Sequence, residues 1–345
     1  MIYQPIIDRC KYIPTEGMDF DQWLDERRKG IGGSDAAALM EMTRFGSPWS
    51  LYREKKNMVP KSEMSKAARR GKILEPYIRK ETMTDFPEFE ISEVPFMFFH
   101  PDYHFMVANL DGVIFCKSPT EIRGVTIQGL GGHEIKSGKT DYGWTYDEIP
   151  DHYYCQVQHY MAVTGLKWFL VSAYILDDDE GVYHYIIPRS EQFIEKLIAA
   201  EKNFWENNIL KNIMPAPLGL DFEEDMITGE YEEIQETINL GNEWAAMCAE
   251  RIELKKAMKD MEQRQKVIDI TIKERISEIC NEKIGDKKTD EKPEKRKVMA
   301  KAGGYEISWS RYPRSGVDSD ALKRDGLYDK YSKVSESGRF DVKVV

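Results

Sequence analysis

The chain has 345 residues, 41% of them hydrophobic, enough apolar side chain for one large core or two modest ones. The longest apolar run, Trp168 to Leu176, is interrupted by Ser172 and too short to cross a bilayer, and the N-terminal MIYQPIIDRCKYIP has no basic region followed by an apolar stretch. A cytosolic protein with no membrane partner is therefore expected, and the formal charge of −11 at first sight argues against a nucleic-acid partner, since phosphate neutralisation needs Lys and Arg, without excluding one. The acidity is uneven: residues 251–301 carry 16 Lys and Arg against 11 Asp and Glu, and carboxylates gathered in a site regain balance through bound cations. The five cysteines, at 10, 116, 155, 248 and 280, form no C-x-x-C pair and read as reduced and structural.

In chain order, Asp21 to Lys29, Ser34 to Met40 and Pro48 to Lys56 are predicted to be short helices. A longer helix is expected from Glu63 to Met83, bent near Pro76. Strands are predicted at Phe96–Phe99, Phe105–Ala108, Gly112–Cys116, Val125–Ile127 and Gly132–Ser137. A helix from Asp151 to Thr164 starts at Pro150 and stops at Gly165. Strands over Trp168–Leu176 and Val182–Ile187 then flank an acidic turn, before a surface helix over Glu191–Leu210. This mixture predicts an α/β domain with a mixed central sheet flanked by helices, over residues 1–217. Residues 218–290 read as a long helical extension and 291–345 as a small C-terminal α+β module, with a strand at Tyr305–Ser310, a helix near Asp318–Arg324 and a closing strand at Phe340–Val345.

The chemistry gathers in the strand region. In GGHEIKSG the period of two puts Glu134 and Lys136 on one face of a strand, and Asp111 of VANLDGVIF stands between two apolar stretches, where a carboxylate is held at the rim of a sheet. Asp111, Glu134 and the backbone carbonyl of Ile135 offer hard oxygen ligands to a divalent cation, with Lys136 beside the water such an ion carries. Singly these signals are weak, since Asp-Gly is commonly a hairpin turn and E-x-K a solvated pair. Upstream, Gly30, Gly32 and Gly33 permit a tight turn, Ser34 suits a helix N-cap, and Arg28 offers a bidentate partner for a phosphate docked there; the alternative is a capped helix with no ligand. Trp49 and Tyr52 are expected to be core contacts rather than base-stacking platforms.

The segments RRKGIGGSDAAALM (27–40), SPWSLYREK (47–55), RGKILEPYI (70–78), ANLDGV (108–113), HEIKSG (133–138) and YYCQVQHYMAVTG (153–165) resemble, in order, those of the lambda-type phage exonucleases and YqaJ-type viral recombinases of the PD-(D/E)XK nuclease superfamily. The resemblance covers about residues 20–215 and implies a restriction-endonuclease-like fold. It implies a Mg²⁺-dependent exonuclease, with Mn²⁺ able to substitute and two ions per site, that resects duplex DNA ends from 5′ to 3′ and hands the exposed strand to a single-strand annealing protein. It further implies a homo-oligomeric ring, often a trimer, encoded by a phage or prophage and working in the bacterial cytoplasm. By the same resemblance Glu75 assists a second metal, Asp111 and Glu134 are metal ligands, Lys136 is the catalytic lysine, and Gln156 is the glutamine of the helix after the core strands. Tyr160 lies one turn beyond Gln156, and Gln158 is a neighbour with which it is easily confused; an ordinary amphipathic helix is the competing reading. Arg28 and Ser34 would hold the terminal 5′-phosphate. The alternatives are an endonuclease or helicase-associated nuclease of the RecB type, though no Walker-type loop is present, and a non-catalytic DNA-end-binding scaffold.

Overall fold

A computed structural model describes residues 1–59, 65–139, 143–177, 181–228, 237–284, 296–311, 318–331 and 342. Two elements open the chain that the hydrophobic pattern does not announce, helix α1 (Gln4–Arg9) and strand β1 (Lys11–Pro14). Helix α2 (Phe20–Arg28) starts at a capping box in which Asp19 accepts from the Gln22 backbone N–H and the Gln22 side chain returns the bond. Helices α3 (Gly33–Leu39) and α4 (Pro48–Lys55) follow, the latter capped by Ser47 with Pro48 in its first turn. Helix α5 (Lys66–Asp85) is capped by Ser65 and runs through Pro76; the start expected at Glu63 lies outside the described residues. As expected, Trp49 and Tyr52 are buried, Tyr52 in a cluster with Ile31, Leu51, Phe204 and Ile209.

Strands β2 (Glu90–Ser92), β3 (Phe96–Phe99), β4 (Val107–Asn109), β5 (Gly112–Ile122) and β6 (Val125–Gly138) come next. The two strands expected at 125–127 and 132–137 are one, β6, which forms a long hairpin with β5. That hairpin turns at Arg123 and Gly124, both left-handed at φ +47° and +78°. Helix α6 (Asp151–Thr164) ends on Gly165 at φ +77°, the left-handed C-cap that its glycine foretold. Strands β7 (Trp168–Ile175) and β8 (Val182–Pro188) precede helix α7 (Glu191–Phe204), which a π-helical turn over Trp205–Ile209 continues.

The strands form a five-stranded sheet in the order β2-β5-β6-β7-β8 and a three-stranded sheet in the order β1-β3-β4. Only β6 and β7 of the five pair in parallel, and α6 makes the crossover between them. The larger sheet is thus mixed, with helices on both faces. On one face Thr82 of α5 reaches Ser172 of β7, whose register partner is Ile135. Alternation sends Glu134 and Lys136, with Val171 and Ala173, to the opposite face, under α6. Phe98, Val113, Met161, Phe169 and Val171 belong to the core on the α6 side, while Ile114, Cys116 and Leu170 belong to a second core.

Helix α8 (Asp221–Thr228) belongs to the first of two compact units, Met1–Tyr231; the second is Glu232–Val345. The second contains helix α9 (Ala245–Ile284), a hairpin of β9 (Arg296–Ala302) and β10 (Tyr305–Arg311), and helices α10 (Ser319–Arg324) and α11 (Tyr328–Tyr331). The strand expected at Phe340–Val345 lies, apart from Val342, outside the described residues. Among the described residues no helix is long and apolar enough to cross a membrane.

Candidate active site

Asp111 is not in a hairpin turn. Strand β4 before it pairs with β3 in the smaller sheet, whereas β5 after it pairs with β2 and β6, so Asp111-Gly112 is where the chain crosses between sheets. Pairing of Gly112 with His133 places Asp111 just beyond the end of β5, beside residues 134 and 135 of β6. There the Ile135 backbone N–H, with no β5 partner, donates to Asp111 Oδ2 at 2.8 Å. N–H and C=O of one strand residue point to the same flank, so the Ile135 carbonyl is turned to this side too.

Glu134 is 2% exposed. Its Oε1 accepts from Lys136 Nζ and from Gln156 Nε2, the latter at 2.7 Å, while its Oε2 is buried with no hydrogen-bond partner. A buried carboxylate oxygen without a partner is costly, and it is the arrangement that a cation would complete. The Gln156 amide also reaches Tyr160 Oη at 2.9 Å, and Lys136 Nζ lies 5.0 Å from the centre of the Tyr153 ring. Gln158 is turned away: it donates to Pro188 O at 2.8 Å and accepts from Ser190 N at 2.9 Å.

Glu75 approaches from α5. Its Oε1 accepts from Arg79 Nη2 at 2.7 Å, and that same nitrogen donates to the Asp111 backbone carbonyl at 3.0 Å, while Arg79 Nη1 pairs with Glu93. Arg79 therefore ties the acidic helix residue to the strand crossing. The sequence reading missed it, although a Glu75–Arg79 pair one helical turn apart was there to be read. Among the described residues no three acidic, His or Cys side chains already form a metal cage. Asp111, Glu134 and the Ile135 carbonyl form the nearer set, and Glu75 is held by Arg79 at its margin.

The matching segments fall on this cluster: residues 22–167, which contain Glu75, Asp111, Glu134, Lys136 and Gln156, match the YqaJ-like viral recombinase domain. YqaJ of Bacillus subtilis (strain 168), an uncharacterized protein, is 28% identical over 331 residues, 95% of each chain. Among solved structures, the alkaline exonuclease LHK-Exo from Laribacter hongkongensis is 19% identical with a TM-score of 0.41, over 61% of this chain and all of that one. A phage-related exonuclease from Haemophilus somnus 129PT is 14% identical with a TM-score of 0.32, over 55% of this chain and 95% of that one.

The electrostatics of this cluster follow from crowding. Burial, and then the Asp111 carboxylate, push Glu134 up to about 8 against the pull of Lys136. Burial and Asp111 raise Glu75 as well. For Lys136 burial opposes the charge, but Glu134 and Asp111 overcome it and hold the ammonium above the ordinary lysine value. Burial likewise raises the Tyr160 phenol, with Glu134 adding to it, so Tyr160 serves as a neutral hydroxyl.

Glu75, Asp111, Lys136, Gln156 and Tyr160 line one cleft of about 1290 Å³ together with Arg27, Arg28, Gly32, Gly33 and Ser34. The N-terminal motif is built differently from its sequence reading. Gly32, not Ser34, is the N-cap of α3, and the Asp35 side chain accepts from Gly32 N at 3.0 Å. The guanidinium on Ser34 Oγ is that of Arg27, which also pairs with Asp35 at 2.8 Å; Arg28 instead donates to Asn57 at 3.0 Å. Successive helix residues point about 100° apart, so which of two adjacent arginines meets α3 depends on how α2 is rotated against it. Asp35 also pairs with the buried Lys55 at 2.6 Å. Burial opposes its charge, and Arg27 and Lys55 overcome this, holding the carboxyl well below the usual range.

The glycines serve contact rather than a turn, since none of Gly30, Gly32 and Gly33 is left-handed. A Cβ on Gly33 would lie 2.7 Å from the Tyr160 ring and 2.8 Å from Gln156 Cγ. Gly33 thus lets α3 settle onto the turn of α6 that supports Glu134.

Proposed function

We propose that the chain is a divalent-metal-dependent deoxyribonuclease that resects duplex DNA ends. The observation that carries this reading is Glu134, whose unpartnered Oε2 is buried beside Asp111 with a lysine two residues along the same strand face. Asp111, Glu134 and the Ile135 carbonyl would hold Mg²⁺, or Mn²⁺ in its place, with Glu75 serving a second ion. Bound there, the metal supplies Lewis-acid stabilisation of the charge that develops on the scissile phosphate. Gln156 and Lys136 orient the Glu134 carboxylate. Lys136, kept cationic by its two carboxylate neighbours, presents N–H donors toward the phosphate and the attacking water. At the other wall of the cleft, Arg27 and Ser34 are the groups disposed to hold a terminal phosphate, with Arg28 next to them.

Resection from the 5′ end, hand-over of the bared strand to a single-strand annealing protein, and processivity through a closed ring of copies are the finer parts of this reading and rest on the family resemblance. Linear duplex labelled at either the 5′ or the 3′ end, with and without Mg²⁺, tests metal, polarity and end dependence together. Release of 5′ label only with Mg²⁺ is expected; cutting of closed circles would contradict an end-dependent enzyme, and cutting in EDTA would contradict the metal.

A further inference from the structure

We infer that α9 is a coiled-coil element that pairs in parallel and in register with the α9 of a second copy of this chain. Along this helix apolar residues recur at the alternating three- and four-residue spacing of a heptad seam: Leu254, Met258, Met261, Ile268 and Ile272, with Met247 one heptad before Leu254. The five from Leu254 to Ile272 are between 37% and 68% exposed, and Met247 is 62% exposed. The only buried residue described on the helix, Ile276, lies off the seam. A stripe of large apolar side chains left in water along a helix this long is costly, and seam-to-seam packing removes it. Gln265 supplies a polar layer inside the seam, the device that fixes register in coiled coils.

The charges flanking the seam select the occupant and its direction. With Leu254, Met261 and Ile268 at d and Met258, Gln265 and Ile272 at a, the g positions hold Glu250, Ala257, Arg264, Thr271 and Glu278. The e positions hold Lys255, Glu262, Asp269 and Ile276. A parallel pair sets each g residue against the e residue five positions later on the other helix. Glu250 then faces Lys255 and Arg264 faces Asp269, each contact occurring twice by symmetry, and Ala257 and Thr271 bring no like charges together. An antiparallel pair gains Lys255 against Asp269 but sets Glu250 against Glu278, Arg264 against Arg264 and Glu262 against Glu262. Arg251 at a and Arg275 at d, which bound the seam, meet arginine in either direction and do not choose between them; self-complementarity at the charged g–e contacts from Glu250 to Asp269 is what favours a second copy of the same helix in parallel.

The test uses the full chain with Cys248→Ser and Cys280→Ser, which removes the two half-buried thiols of this helix. In parallel register Met258 faces Met258, so adding Met258→Cys and oxidising mildly should give a covalent dimer on a non-reducing gel, twice the 40.1 kDa of one chain. In antiparallel pairing residue 258 faces 268, and only Met258→Cys with Ile268→Cys would crosslink. Arg264→Glu should weaken crosslinking and self-association about tenfold, and adding Asp269→Arg should restore both. No covalent dimer above the parent, a link appearing only in the 258/268 pair, or a dimer indifferent to Arg264→Glu would each overturn the inference. Circular dichroism of the charge variants, which alter only exposed residues of the helix, separates lost pairing from lost helix. Because crosslinking is read without DNA or metal, its outcome is independent of the nuclease reading.

Discussion

Replacing Glu134 by glutamine preserves the shape of the side chain and removes its charge. In the protein without metal, Glu134 titrates near 8 rather than at its ordinary 4.5, because burial and Asp111 disfavour the carboxylate. Below pH 4.5 the group is protonated in folded and unfolded chains alike and costs nothing. As the pH rises from 4.5 to about 8 the unfolded chain releases the proton and the folded chain retains it, so stability falls; above about 8 the cost is constant. The interval corresponds to about 5 kcal/mol. Urea unfolding in EDTA should therefore show Glu134→Gln to be several kcal/mol more stable than the parent at pH 9, with the gap closing by pH 4.5. Adding Mg²⁺ at pH 9 should recover stability in the parent and not in the variant, because binding acts on the folded state alone. The variant should not cleave DNA. Parallel stability curves for the two proteins across this pH range would refute the view of Glu134 as a buried carboxylate awaiting a cation.

Lys136→Ala should still bind DNA ends and fail to cut them, and undiminished cutting would remove the lysine from the mechanism. Arg27→Ala should slow digestion of 5′-phosphorylated ends more than of 5′-hydroxyl ends, with Arg28→Ala the milder of the two; equal slowing of both ends by Arg27→Ala would count against a phosphate contact. Gly33→Ala inserts a methyl 2.7 Å from Tyr160, and the expected loss is in turnover through a displaced Gln156, read as a fall in kcat with end binding retained. His159 on α6, fully buried, bridges Glu201 at 2.7 Å and the Val107 carbonyl at 2.9 Å. His159→Ala leaves Glu201 buried without its partner and should cost roughly 3–5 kcal/mol by urea unfolding, much of it regained when Glu201→Leu is added.

What could be read from residue order is what depends on near neighbours. Alternation along a strand alone sets Glu134 and Lys136 on a common face, and Pro150 and Gly165 bound α6 by the stereochemistry of single residues. The register of Asp111 against Ile135 could not be read that way. It follows from β5 pairing with β6 over a hairpin that runs to Ile122 and back, which also accounts for the 23 positions between Asp111 and Glu134. Strand β1 escaped notice because its four residues are paired only with Phe96–Phe99, far along the chain. The choice of Arg27 over Arg28, and the clasp of Arg79 on Glu75 and the Asp111 carbonyl, were likewise settled by how α2 and α5 are rotated against their neighbours. Sequence alone named the carboxylates and the lysine, because side-chain chemistry and local periodicity travel with the chain. Only tertiary packing left one oxygen of Glu134 buried and unsatisfied, because burial and the proximity of a second carboxylate are properties of distant segments brought together.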